Sequence, residues 1–101
     1  MKELFQYFND RYDDKNDELQ RITAEDSRDR DLTPPQKLAL IDYFNLCDEE
    51  SVFRDAGYIY DPVWESWENG MRQFSKDPRI AELWEEEQKT NSYYGFKLPL
   101  G

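Results

Sequence analysis

Three polar–proline pairs divide this sequence into helical segments, and they constrain its fold more than any other feature. The pairs are Thr33-Pro34, Asp61-Pro62 and Asp77-Pro78. Proline is favoured in the first turn of a helix, where its missing N–H is not needed, and a preceding Thr or Asp can cap the free backbone amides. Gln36 completes a Thr-x-x-Gln capping box with Thr33. We therefore expect helices that begin near residues 34, 62 and 78.

Apolar side chains at helical spacing predict how far these helices extend. The same spacing predicts a further helix that precedes them. The predicted fold is all-α: a single domain, residues 1–101, built as a small bundle of about four helices with an extended aromatic tail. The second helix is apolar around much of its circumference, so we expect it to be central. Gly57 is expected to end it in the left-handed conformation. The predicted helices span residues 2–22, 34–56, 62–75 and 78–90.

Three further features complete the predicted organisation. Residues 23–32 form a charged connector before the helical core of residues 33–90. Gly70 lies inside the third helix, where we expect either the close approach of a neighbouring backbone or ring, or a kink. The tail, residues 91–101, is not helical but is too apolar for a free end. We expect it to lie across the helices as a lid in preference to docking on another molecule.

The charge of the chain limits its partners. Its 101 residues include 23 acidic and 13 basic side chains, which give a formal net charge of −10. Direct binding to nucleic acid or to an anionic membrane surface is disfavoured, because both need a basic patch. The acidic residues can serve solubility, attract a basic partner or imitate a polyanion. Solubility is the simplest explanation, because charged residues normally cover a helical surface.

Several kinds of catalytic chemistry are excluded by composition. The chain has no histidine, which removes His-based acid–base catalysis and histidine metal sites. Its single cysteine, Cys47, cannot form a Cys-rich zinc site or an intrachain disulfide. The four glycines are scattered, so no phosphate-binding loop is present. We predict no catalytic residue, no metal and no cofactor, and we expect Cys47 to be a small core residue.

Two clusters of carboxylates remain as candidates for chemistry. They are Asp48-Glu49-Glu50 and Glu82 with residues 85–87. Solvation is the simplest explanation of both, because consecutive residues on a helix fan out about 100° apart and do not converge on one ion. Glu50 can pair with Arg54 at i+4. A buried carboxylate would need hydrogen-bond partners, so we predict a buried polar network from these residues: Asp48, Glu49, Tyr43, Trp64 and Trp67.

Several sequence phrases resemble a family of uncharacterised bacterial proteins. They are Phe5-x-x-Phe8-Asn9-x-Arg11-Tyr12, Asp42-Tyr43-Phe44-Asn45-Leu46-Cys47-x-Glu49-Glu50, and Gly57-Tyr58-Ile59 followed by Val63-Trp64-x-x-Trp67. The resemblance implies a helical cytoplasmic domain that often follows a membrane anchor, and it implies no activity. No run of 18 apolar residues and no signal-peptide pattern is visible. The expected location is the cytoplasm, or the inner face of a membrane if a preceding anchor was removed.

The leading hypothesis is a non-enzymatic protein-interaction domain of bacterial or phage origin. Its partner is unidentified, a basic protein is one option, and the sequence leaves its oligomeric state open. The alternative is an acidic mimic of DNA that inhibits a nucleic-acid enzyme. Third is an enzyme that relies on Glu49, Tyr43 or Tyr58. The candidate partner-binding residues are Glu82, Glu85, Glu86, Tyr93, Tyr94 and Phe96.

Overall fold

The computed structural model describes residues 2–24, 29–90 and 96–99, and it confirms the all-α fold. Four helices follow one another along the described chain, and no strand occurs among these residues. None of the described helices combines the length and the apolar character that crossing a membrane requires. The helices are α1 (Lys2–Thr23), α2 (Pro34–Asp55), α3 (Asp61–Ser75) and α4 (Pro78–Gln88).

Local capping chemistry determines both ends of α2. The backbone N–H of Gln36 donates to Thr33 Oγ1 at 3.3 Å, and Gln36 Oε1 accepts from the Thr33 backbone N–H at 2.9 Å. The predicted capping box is therefore confirmed. At the other end Gly57 has φ +87°, as expected for a left-handed stop. The Tyr58 N–H reaches the Phe53 carbonyl at 3.0 Å, which satisfies a carbonyl that the helix leaves free.

The two later helix starts differ from one another. Asp77 caps α4 as predicted, because its carboxylate accepts from the Arg79 backbone N–H at 2.9 Å. The prediction that Asp61 caps α3 is wrong. The capping position is Tyr60, whose side chain makes no capping bond, and Asp61 is the first helical residue. A negative charge in the first turn still stabilises the helix through its dipole. The helix begins at Asp61, one residue before the predicted start at residue 62.

Helix α2 is central, as its apolar circumference predicts. It packs against α1 and α4, and α3 packs against α4. Phe8 of α1 and Phe44 of α2 are fully buried, and the Phe44 ring meets Trp84 of α4 edge-on with centroids 5.2 Å apart. On α1, Phe5 is exposed and Tyr12 is half-buried. Among the described residues, the other fully buried apolar side chains are Leu19, Ile22, Leu40, Leu46, Cys47, Met71 and Ile80.

The described part of the tail lies on the helices. Phe96 and Leu98 are buried, and the Phe96 ring meets Trp84 with centroids 5.7 Å apart. The Ser75 hydroxyl donates to the Pro99 carbonyl at 2.7 Å and holds the tail to the end of α3. The prediction of an intramolecular lid is confirmed for residues 96–99. Tyr93 and Tyr94 lie outside the described residues.

Arg79 joins three parts of the fold, and the sequence analysis did not identify it. Its guanidinium donates to the Ile22 carbonyl at 2.7 Å, in the last turn of α1, and to the Arg30 carbonyl at 2.8 Å, in the connector. The Asp77 carboxylate orients it at 2.6 Å. A cation beside the last carbonyls of a helix is also favoured by the helix dipole. The N-terminus of α4 is thereby tied to the C-terminus of α1.

Candidate functional site

A cavity of about 580 Å³ lies between α1, α2 and α3. The α3 wall contains Ser66 and Gly70, which are four residues apart and therefore share one helix face. No atom lies within 4 Å of the position that a Cβ on Gly70 would occupy. The expected close approach at Gly70 is therefore wrong, and α3 runs through this position as one helix. Small side chains on this face leave the space that the cavity occupies.

Aromatic rings from all three helices line much of the cavity. Phe5 of α1 and Trp67 of α3 stack with centroids 6.1 Å apart and an interplanar angle of 10°. Tyr12 of α1 and Tyr43 of α2 also line the cavity, with their rings 6.3 Å apart. Cavities of this size and apolar character, with a few polar groups, are typical of small-molecule sites.

Glu50 is the most unusual polar group of the cavity lining. Only 5% of its surface is exposed, and it forms no hydrogen bond or ion pair with the described residues. Desolvation raises the pKa of the Glu50 carboxyl from 4.5 to about 8, although the positive charge of Arg11 opposes this rise. The expected pair between Glu50 and Arg54 is wrong. Arg54 bonds Asp55 at 3.0 Å, and its guanidinium lies 4.4 Å from the centre of the Trp64 ring.

The predicted buried polar network has different connections in the structure. Trp64 Nε1 donates to Glu68 at 3.1 Å, and it does not bond Asp48 or Glu49. Glu49 is only half-buried and pairs with Arg11 at 2.6 Å. Asp48 is buried, but its Oδ1 has no hydrogen-bond partner and it lines a separate cavity of about 180 Å³ beside the tail. Of the predicted network, only Tyr43 and Trp67 reach the larger cavity.

Helical phase was the signal that could have identified Glu50. Tyr43, Cys47 and Glu50 follow one another at steps of four and three, so they share one face of α2. Tyr43 and Cys47 were both expected to be buried or partly buried. Because Glu50 lies on the same face of α2, it should be buried as well. The sequence-based prediction instead paired Glu50 with Arg54 and assigned burial to Asp48 or Glu49.

Cys47 and Tyr43 are not poised for reaction. Cys47 is fully buried, and this burial raises the pKa of its thiol well above the ordinary value. Burial likewise raises the pKa of the Tyr43 hydroxyl far above its ordinary value. The expectation that Cys47 is a small core residue is confirmed. Of the other residues on which an enzyme was expected to rely, Tyr58 is exposed and Glu49 lies outside the cavity lining.

An exposed group of aromatic side chains lies next to the cavity. Phe8, which is buried, contacts the Tyr7, Phe53 and Trp67 rings at centroid distances of 5.2, 5.6 and 5.7 Å. Tyr58 packs edge-on against Phe53 at 6.1 Å. These contacts join the rings into one group around Phe8, which was not predicted from the sequence. We call it the aromatic patch and define it by Phe5, Tyr7, Phe53, Tyr58 and Trp67.

The predicted partner-binding residues do not form one surface. Glu82, Glu85 and Glu86 are exposed on α4. Phe96 is buried against the chain's own Trp84, so little of its ring is exposed to a partner. Tyr93 and Tyr94 are outside the described residues. Within the described part of the chain, no group of three or more acidic or cysteine side chains is placed to hold a metal ion.

Comparisons with known proteins return no match for this chain among protein-family models, curated proteins or solved structures. The resemblance to a family of uncharacterised bacterial proteins therefore stays a prediction.

Proposed function

We propose that this chain is a non-enzymatic interaction domain that binds a partner protein through the aromatic patch. The observation that supports the proposal is the exposure of connected rings at one place on the surface. Tyr7 is 51% exposed and Tyr58 is 57% exposed, although the Tyr7 ring packs on buried Phe8 and the Tyr58 ring packs on Phe53. Contiguous exposed apolar surface on a small protein typically marks an interaction site, and aromatic residues dominate binding energy at such sites.

The patch is held in place before any partner binds. Tyr7 accepts a hydrogen bond from Arg11 at 3.0 Å, and Arg11 is in turn paired with Glu49 at 2.6 Å. Tyr58 is positioned by the turn at Gly57, where its backbone N–H bonds the Phe53 carbonyl. Rings that are already ordered lose little conformational entropy on binding. This arrangement supports a recognition surface built from rigid aromatic side chains.

The charge of the domain favours a basic partner. A net charge of −10 attracts a positively charged protein over a distance of about one Debye length, roughly 8–10 Å at physiological salt. Such attraction raises the association rate, while the rings supply affinity that depends little on salt. The single, buried cysteine supports placing the domain in a reducing compartment such as the cytoplasm.

Affinity capture with matched variants tests this proposal. The immobilised wild-type chain is exposed to a bacterial lysate beside a Tyr7→Ser/Tyr58→Ser double variant. Leu38→Ser is the control, because Leu38 is 65% exposed on α2 but is not part of the patch. We expect the wild type and the control to retain the same protein and the double variant to lose it. If the double variant still retains the captured protein, and charge reversal of Glu82, Glu85 and Glu86 abolishes its retention, the binding site is on α4 instead.

A further inference from the structure

We infer that the cavity between α1, α2 and α3 is a binding site for a small organic amine, whose ammonium group Glu50 would hold. The ligand class is a primary ammonium on an apolar body, such as an aryl-alkyl amine. This inference goes beyond the proposed function and does not depend on it, because Glu50 lies outside the aromatic patch, although Phe5 and Trp67 belong to both surfaces.

The burial of Glu50 without a partner among the described residues favours a cationic ligand. As a whole residue Glu50 is 5% exposed, it lines the cavity, and its side chain has no hydrogen-bond or ion-pair partner among the described residues. Buried polar groups are nearly always hydrogen-bonded, and an unpaired one is destabilising. A ligand that donates hydrogen bonds and carries a positive charge would satisfy this group.

The charge of the cavity lining also favours a cationic ligand. Asp13 of α1 adds a second carboxylate at the exposed side of the cavity, and Asn9 and Ser66 add neutral acceptor oxygens. No lysine or arginine belongs to the cavity lining in the described part of the chain. A primary ammonium donates three hydrogen bonds and accepts none, which matches this set of acceptors. An anionic ligand would meet two carboxylates and no compensating cation.

The aromatic rings of the cavity lining favour a cation with an apolar body. Phe5 and Trp67 stack beside the opening side of the lining, and Tyr12 and Tyr43 add two further rings. Aromatic faces attract cations and also accommodate an apolar body. The volume of about 580 Å³ lies within the range of roughly 300–1,000 Å³ that is typical of small-molecule sites. Charge, acceptors and rings therefore select the same class of ligand.

Binding of an amine should depend on pH through Glu50. The groups that interact with Glu50 are Arg11 and Tyr12 from α1 and Tyr43, Cys47 and Glu49 from α2. Asp13 lines the same cavity, and the α3 wall carries no titratable side chain. Because the Glu50 carboxyl has a raised pKa in the free protein, it must lose a proton to pair with an ammonium. Affinity for an amine should therefore rise as the pH approaches about 8, with release of a proton on binding.

The experiment compares three probes of similar size by titration calorimetry and by NMR of the Trp67 indole N–H. The probes are 2-phenylethylamine, neutral 2-phenylethanol and anionic 3-phenylpropanoate. We expect the amine to bind most tightly and to gain about 20-fold in affinity between about pH 6.5 and about pH 8.5. The alcohol should show no such pH dependence, and the anion should not bind.

Variants separate the site from general charge effects. Glu50→Gln should weaken amine binding at least about tenfold at the higher pH and remove its pH dependence. Asp13→Asn provides a second site variant whose side chain is exposed, so its folding is not in question. Glu65→Gln is the control, because it removes one exposed carboxylate of α3 outside the cavity lining. Equal binding of the amine and the alcohol, or unchanged amine binding in Glu50→Gln, would overturn the inference.

Discussion

Glu50 shows how three consecutive acids on one helix acquire different environments. Asp48, Glu49 and Glu50 point in directions about 100° apart, so they face the tail, Arg11 and the cavity respectively. The pKa values of Asp48 and Glu50 follow from these surroundings. Desolvation raises the pKa of both Asp48 and Glu50, and the rise is large for Glu50.

The raised pKa of Glu50 makes the stability of the fold depend on pH. The carboxyl is protonated in the folded chain up to about pH 8, whereas in the unfolded chain it loses its proton near pH 4.5. Its favourable contribution is complete below pH 4.5 and is lost as the pH rises through 8. We expect Glu50→Gln to match the wild type at low pH and to exceed it increasingly above pH 4.5, on the order of 1.4 kcal/mol for each pH unit in that window.

Urea unfolding at a series of pH values measures this difference. Glu65→Gln serves as the matched control, because its carboxylate is exposed. A constant difference between wild type and Glu50→Gln across the window would show that Glu50 is solvated in the folded chain.

Gly70 gives a second prediction at the scale of one residue. A Cβ at this position meets no atom within 4 Å, and the residue lies in the interior of α3. Gly70→Ala should therefore stabilise the fold by about 0.5–1 kcal/mol, because alanine loses less backbone entropy in a helix. Chemical denaturation provides the measurement. Destabilisation would mean that a neighbour does approach the α3 backbone closely.

The helix boundaries were predictable because capping chemistry is local. The Thr33–Gln36 box, the Asp77 cap and the left-handed Gly57 each depend on residues within four positions of one another. Asp61 was misassigned because an Asp-Pro pair fits both a cap and a first turn, and only the extended backbone of Tyr60 distinguishes them.

The side-chain partners were not predictable, because they depend on how the helices are rotated against each other. The bonds from Arg79 to the carbonyls of Ile22 and Arg30 span 57 and 49 residues. The cavity around Glu50 likewise requires three helices to meet with small α3 residues facing inward. Sequence periodicity identified which side of α2 is apolar, but not which element covers each part of it.

The turn after α2 can be tested with the same substitution, glycine to alanine, that is proposed at Gly70. Gly57 has φ +87°, a conformation that other L-residues adopt at a cost of about 1–2 kcal/mol. Gly57→Ala should therefore destabilise the fold by about that amount, with the opposite sign to Gly70→Ala. Denaturant midpoints of the two variants give a direct comparison. A neutral Gly57→Ala would contradict the role of this turn in ending α2 and positioning Tyr58.

At the scale of the whole molecule, the tail completes the core. Phe96 is 9% exposed and packs on Trp84, which in turn packs on Phe44 of α2. Phe96→Ala should lower the free energy of unfolding by about 3 kcal/mol, through lost burial and the cavity that remains. Lys97→Ala is the matched control, since Lys97 is exposed and should change stability by less than about 0.5 kcal/mol. Equal stability of the two variants would mean that the tail is not part of the fold.

The central claim is that the bundle buries its aromatic core but leaves a cavity lined by a buried carboxyl group that has no partner among the described residues. Phe44 and Trp64 are buried, and Trp67 is half-buried at the cavity wall. An NMR titration of the glutamate carboxyl carbons tests this claim most directly. We predict that one resonance, absent from the Glu50→Gln variant, titrates near pH 8. Titration of the Glu50 carboxyl near the value of a solvated glutamate, about 4.3, would contradict the account.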